Sequence, residues 1–156
     1  MAALAARLTG GGEMKVQAVK NAVLAALAAA GGFISERLGG WDGALALLVS
    51  LMAADYVTGL LVALVFRRSG KTAGGGASSS AGFRGIVKKA MILVLVGVGA
   101  ALDAALGTGW ARTAVIFFFA ANEGLSILEN TALMGVPYPA ALRSALEALG
   151  EKAEKK

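Results

Sequence analysis

Four apolar stretches divide the chain, and most of its charged residues lie between them or in the tails. The stretches cover approximately residues 16–33, 43–66, 90–106 and 113–128. The second would form a helix of about 36 Å, enough to cross roughly 30 Å of hydrocarbon with some tilt. The third is shorter and rich in glycine, so it spans only if it stands upright or recruits flanking residues such as Ile86 and Val87.

The pattern predicts an all-α integral membrane protein with about four hydrophobic helices. We divide it into an N-terminal leader (1–13), a transmembrane helical domain (14–134) and a C-terminal tail (135–156). Met14 is a second possible start. Lys15 and Lys20 before an apolar, alanine-rich run are also compatible with a cleaved secretory signal.

The tail predicts one more helix. After Pro137 and Pro139, apolar residues recur at helical spacing at Leu142, Ala145, Leu146 and Leu149. This favours a short amphipathic helix on the cytoplasmic face, and a solvated tail with weak membrane contact is the alternative.

The composition is typical of a membrane protein and excludes several kinds of functional site. The chain is 57% hydrophobic and 16% charged, whereas about a quarter of the residues of soluble domains are charged. It has no cysteine and no histidine. Disulfides, thiolate nucleophiles, zinc sites and imidazole proton shuttles are therefore excluded, and we expect no cofactor and no metal.

Positive charge collects in one loop between two predicted spans. Residues 67–89 hold no acidic residue and contain Arg67, Arg68, Lys71, Arg84, Lys88 and Lys89. The positive-inside rule places this loop, and with four crossings both termini, in the cytoplasm. Its Gly/Ser-rich part is expected to be a flexible tether. Nucleic-acid binding is not expected, because Phe83 is the loop's single aromatic residue.

The last apolar segment carries a polar stripe. At about 100° per residue, its polar side chains fall within an arc of about 120°. They are Arg112, Asn122, Glu123, Ser126, Glu129 and Asn130. Glu123, and Asp55 in the second segment, lie near mid-bilayer, where an isolated carboxylate costs at least about 2.5 kcal/mol. Asp103 lies close enough along the chain to reach Arg112 across a short turn.

Two interpretations of these polar residues compete. In one, the acids are paired inside a static bundle and specify helix packing, helped by Thr58 and the small residue Gly59. In the other, the stripe is buried in dispersed subunits and lines a water-filled lumen after assembly. Ser126 lacks a recognisable base and an oxyanion site, so no catalytic residue and no enzyme are predicted.

Several motifs together resemble the toxin-secretion/phage-lysis holins. They are GGWD (39–42), DYVTG (55–59), GFRGIVKK (82–89), ALD (101–103), RTAVIFFFAANEGLSILEN (112–130) and GVPYP (135–139). The resemblance implies a protein of the bacterial cytoplasmic membrane that forms homo-oligomeric lesions, releases an endolysin or a toxin, and collapses the proton gradient. Its partners would be membrane lipid, the endolysin without direct contact, and an antiholin.

The resemblance leaves alternatives open. A three-span topology, as proposed for proteins of this kind, would leave the first segment interfacial or the fourth re-entrant. A small transporter or proton channel using Asp55 and Glu123 is another possible function, as is a non-conducting antiholin. The leader and the long Gly/Ser insert depart from the family pattern, so the resemblance says nothing about them.

Overall fold

The structure, a computed structural model, describes residues 2–72 and 74–154 and is built of helices joined by short connections. The helices are α1 (Ala2–Arg37), α2 (Gly43–Leu61), a π-helical segment that continues it (Val62–Phe66), α3 (Ser79–Leu106), α4 (Ala111–Leu133) and α5 (Ala140–Glu154). Four segments are long and apolar enough to cross a membrane: Glu13–Arg37, Gly43–Phe66, Ser79–Leu106 and Ala111–Leu133. The predicted fold class is confirmed.

The chain divides into two compact units, residues 1–36 and 37–156. The first unit is most of α1, which is helical from Ala2 to Arg37. The second unit holds the other helices and all the sites described below.

Helix α3 begins earlier than the sequence analysis placed it. It starts at Ser79, so residues 79–89, assigned to the basic loop, form its first three turns. The resulting helix of 28 residues includes Ile86 and Val87, and it needs no upright orientation to cross about 30 Å of hydrocarbon.

The remaining loop, residues 67–78, is folded back on itself. The Ser69 N–H donates to the Gly75 carbonyl at 2.9 Å, and the Thr72 hydroxyl donates to the Gly76 carbonyl at 2.7 Å. Gly75 has a φ of +67°, and a Cβ there would lie 2.1 Å from the Arg67 carbonyl oxygen. Only glycine fits this turn, so part of the Gly/Ser stretch has a defined conformation.

Helix α4 packs against both α2 and α3, while α2 and α3 touch each other little. Their shared core is apolar and lies in one half of the unit: Leu38, Leu45, Leu48, Met52, Ile92, Val96, Ile116 and Ala120. At that end the backbones of α3 and α4 come close, since a Cβ on Gly99 would lie 2.9 Å from the Arg112 Cα. We call this the turn end (residues 38–42 and 107–110) and the opposite one the loop end (67–78).

The tail forms the predicted helix. Helix α5 starts at Ala140, directly after Pro139, and it contacts α4. Arg143 and Glu147 pair across one turn, with the Arg143 Nε 2.9 Å from the Glu147 Oε1. Both side chains are about half exposed, so this pair adds little stability.

Candidate functional site

An ion cluster joins the three helices near their middle. The Lys89 ammonium of α3 donates to the Asp55 carboxylate of α2 at 2.8 Å and to the Glu123 carboxylate of α4. The three side chains are only 11–15% exposed. Two carboxylates share one ammonium, so each acid has a counter-charge within its own chain. We call Asp55, Lys89 and Glu123 the central cluster.

Neutral donors complete the central cluster on its α2–α4 side. The Asn130 amide donates to the Asp55 Oδ1 at 3.2 Å and to the Thr58 Oγ1 at 3.0 Å. A Cβ on Gly59 would lie 3.7 Å from this amide, an ordinary contact. The sequence candidates Thr58, Gly59 and Asn130 therefore meet Asp55 at one helix contact, as small and polar residues do between membrane helices.

A crevice of about 360 Å³ extends from the central cluster toward the loop end. Its walls come from α2, α3, α4 and the 67–78 loop, and its lining includes Asp55, Glu123 and Ser126 as well as Lys71 and Lys88. Lys71 and Asp55 thus line the same crevice. The loop that the sequence analysis treated as a tether thus forms one wall of the crevice.

A second polar cluster lies at the turn end and is built around Arg112. Its guanidinium donates to the carbonyls of Leu38 at 2.5 Å and Gly40 at 2.9 Å, and to the Asp42 carboxylate at 2.6 Å. Asp42 also caps α2 by accepting from the Leu45 N–H at 2.8 Å. These hydrogen bonds, first from Arg112 and then from Leu45, lower the pKa of Asp42 below its usual 3.8.

The Asp103 carboxylate contacts the backbone N–H of Arg112 and not its guanidinium. Its carboxylate accepts from the N–H groups of Ala111 and Arg112, each at 2.9 Å, and from the Thr108 hydroxyl at 2.7 Å. It therefore binds the free N–H groups in the first turn of α4, where a negative charge is favourable.

The neighbouring helices bury one flank of the polar stripe of α4 and leave the other flank exposed. Glu123 and Asn130 are buried at 9% exposure, and Ser126 and Arg112 are partly buried. Asn122 and Glu129, two turns apart on the other flank of the stripe, are exposed. Neither side chain has a hydrogen bond or ion pair to any described residue. We call these two residues the polar edge.

Two features of the site were missed in the sequence. Lys89 was counted only as a topology-determining charge, and Asp42 only as part of a motif. One signal was available for Lys89: it lies at the start of an apolar run, where a lysine side chain can extend along its helix. Trp41 and Trp110, 64% and 46% exposed at the turn end, were also passed over, although exposed tryptophans are typical of membrane interfaces.

Comparisons with known proteins agree with the architecture. The model of the Bacteriophage holin family matches residues 32–151. An uncharacterized 14.9 kDa protein of Clostridium perfringens is 40% identical over 116 residues, covering 73% of this chain and 82% of its own. A protein of Bacillus phage phi105 named "Probable holin" is 35% identical over 104 residues, covering 66% of this chain and 71% of its own. No solved structure matches significantly.

Proposed function

The chain belongs to the bacteriophage holin family, and we propose that it oligomerises in the bacterial cytoplasmic membrane and forms lesions. Those lesions would release an endolysin, or a toxin, and dissipate the proton gradient. The endolysin needs no direct contact with the protein, and an antiholin would act by forming mixed, non-conducting assemblies. The family is not one of enzymes, and the membrane is where its members act.

We propose that the loop end lies in the cytoplasm and the turn end outside. Arg67, Arg68 and Lys71 lie in the 67–78 loop, as the positive-inside rule requires of a cytoplasmic loop. The exposed Trp41 and Trp110 suit the opposite interface. With four crossings, both termini are then cytoplasmic.

The observation that carries the assembly step is the polar edge. Glu129 has no partner among the described residues and lies on a helix apolar enough to span the membrane. Asn122 lies eleven residues before the end of α4, about 16 Å into the helix. Lipid offers neither side chain a hydrogen bond, whereas a neighbouring subunit or a hydrated lumen does.

The ion pairs within the protomer change which residues are expected to drive assembly. In the second interpretation of the sequence, the whole polar stripe of α4 lines a lumen after assembly. Asp55 and Glu123 are already paired with Lys89, and Asp103 already caps α4. We therefore assign the contact between copies, and later the lumen, to Asn122 and Glu129. Because association brings two such edges together, the local concentration of the protein would set the time of lysis.

Replacing Glu129 tests this assignment without disturbing the central cluster. We expect Glu129→Leu to delay or abolish lysis, because a leucine side chain is stable in lipid and gains nothing from a polar contact with another subunit. Glu129→Gln should retain part of the activity, because glutamine can still form hydrogen bonds. Glu147→Leu, an exposed glutamate on α5, is the matched control. Each variant is induced with an endolysin while culture density is followed. Lysis by Glu129→Leu on the wild-type schedule, at equal protein levels, would refute the role of the polar edge.

A second experiment tests the functional class. The gene is induced alone and with an endolysin, and culture density is followed together with leakage of a small dye. Abrupt clearing that requires the endolysin supports the holin function. Saturable uptake of one solute without clearing would instead support a transporter, and inhibition of another holin on co-expression would support an antiholin.

A further inference from the structure

The crevice runs along the helices and is not a shallow surface depression. Along α2 and the π-helical segment that continues it, the lining extends from Asp55 to Ala63, eight residues and about 12 Å. On α3 it extends from Ser78, just before the helix, to Lys89, about 16 Å. Residues of the 67–78 loop line one end of the crevice and the central cluster lines the other, which we call its floor, so the crevice reaches about halfway through the unit.

Beyond the central cluster the unit is closed by packed apolar side chains. Leu45, Leu48, Val96 and Ile116 are fully buried between α2, α3 and α4, with Met52 and Ile92 beside them. This packing fills the half of the unit between the central cluster and the Arg112 cluster. An apolar, close-packed region of this kind excludes water.

The crevice itself has the lining of a hydrated space. Lys71 of the loop and Lys88, next to Lys89 on α3, are exposed; Ser69 and Thr72 also line the crevice, and Ser126 lies beside the carboxylates at its floor. The floor carries two carboxylates for one ammonium. Polar side chains in a cavity large enough for several waters stabilise those waters by two or more hydrogen bonds each.

We propose that each protomer contains a water-filled half-channel that opens at the loop end and stops at the central cluster. Water and small ions then reach Asp55, Lys89 and Glu123 from one side of the membrane only, while the apolar core keeps the protomer impermeable. In this view a lone protomer, though hydrated to mid-bilayer, does not leak. The assignment of that side to the cytoplasm rests on the proposed function; the half-channel does not.

The absence of cysteine from the chain makes the test direct. Single cysteines are introduced and exposed to a membrane-impermeant cationic thiol reagent in vesicles of each orientation. Ser126→Cys reports on the floor of the half-channel and Ala63→Cys on its wall, and Ala63 contacts no member of the central cluster through a hydrogen bond. Val96→Cys and Leu48→Cys report on the apolar core. Ser80→Cys and Gly109→Cys mark the loop end and the turn end.

We expect the cysteines at 63 and 126 to react from the side on which the cysteine at 80 reacts, and from that side only. The cysteines at 96 and 48 should react at least about a hundredfold more slowly from either side, as buried thiols do. All variants should label fully once denatured in detergent, which shows that each thiol is intact.

Protection of both Ala63→Cys and Ser126→Cys from the loop side would overturn the half-channel, and so would reaction of Ser126→Cys from the side on which Gly109→Cys reacts. Ready reaction of Val96→Cys would show that the outer half is not closed. Reaction of Ser80→Cys from outside the cell would overturn the proposed orientation alone, and the half-channel would stand if Ala63→Cys and Ser126→Cys reacted from that same side.

Discussion

Replacing Lys89 by methionine is the sharpest test of the central cluster. The change keeps an unbranched side chain of similar length and removes the ammonium that contacts both Asp55 and Glu123. The two carboxylates, 12% and 11% exposed, then face each other without that cation. Removing one partner of a buried ion pair typically costs about 3–5 kcal/mol, because it leaves the other charge buried and uncompensated.

We expect the lower end of this range for Lys89→Met. The crevice reaches the central cluster, and either carboxyl can take up a proton, so the loss is limited to about 3 kcal/mol. That corresponds to a shift of roughly a hundredfold in the folding equilibrium constant. Adding Asp55→Asn and Glu123→Gln to the variant should restore at least about 2 kcal/mol, because a neutral cluster leaves no unpaired charge.

The assay is reversible unfolding of the purified protein in mixed micelles, titrated with a denaturing detergent. Lys88→Met is the matched control: this lysine is the neighbour on α3, is exposed and has no acidic partner within hydrogen-bonding distance among the described residues. We expect it to change stability by no more than about 0.5 kcal/mol. Equal effects of the two methionine variants, or a triple variant less stable than Lys89→Met, would refute the pairing.

Two further predictions concern the turn end. Gly99→Ala should destabilise the protein by about 1–3 kcal/mol in the same unfolding assay, because its Cβ would lie 2.9 Å from the α4 backbone. Gly97→Ala is the control: its Cβ would meet its nearest atom at 3.5 Å, so the change should be neutral or stabilising by up to about 1 kcal/mol. A loss of stability as large as that of Gly99→Ala would contradict the close approach of the α3 and α4 backbones at Gly99. The second prediction is a loss of stability in acid, because the pKa of Asp42 is lower in the folded than in the unfolded protein. The contribution of Asp42 to the stability of the folded protein is therefore complete above about pH 3.8, and it is lost as the pH falls through the folded pKa. Asp42→Asn should remove that part of the acid dependence, measured as the unfolding midpoint between pH 5 and pH 2.5, and an unchanged pH profile would argue against the Arg112 contact.

The membrane-spanning elements could be read from the sequence because hydropathy and length are properties of one segment at a time. The predicted segment 43–66 agrees with the span Gly43–Phe66. The start of α3 could not be read as well, since residues 79–89 mix small, basic and apolar side chains. Hydropathy alone therefore favoured a loop there, and helix-to-helix contacts decided otherwise.

Only part of the polar sites could be predicted from the sequence. A helical projection placed Asn122, Glu123 and Glu129 on one stripe, and no projection can say which flank a neighbouring helix covers. Lys89 lies 34 residues from both Asp55 and Glu123, so nothing local connects the three. Arg112 likewise finds its partners 70 and 74 residues earlier, at Asp42 and Leu38.

The sequence by itself determined that the chain is helical, that it lies in a membrane and which family it belongs to, because each follows from local composition or from ordered motifs. The tertiary structure alone decided which charges are paired within the protomer and which remain on its surface. That choice depends on the rotation and axial position of α2, α3 and α4 relative to one another, and shifting one helix by a single turn, about 5 Å, would separate Lys89 from its acids.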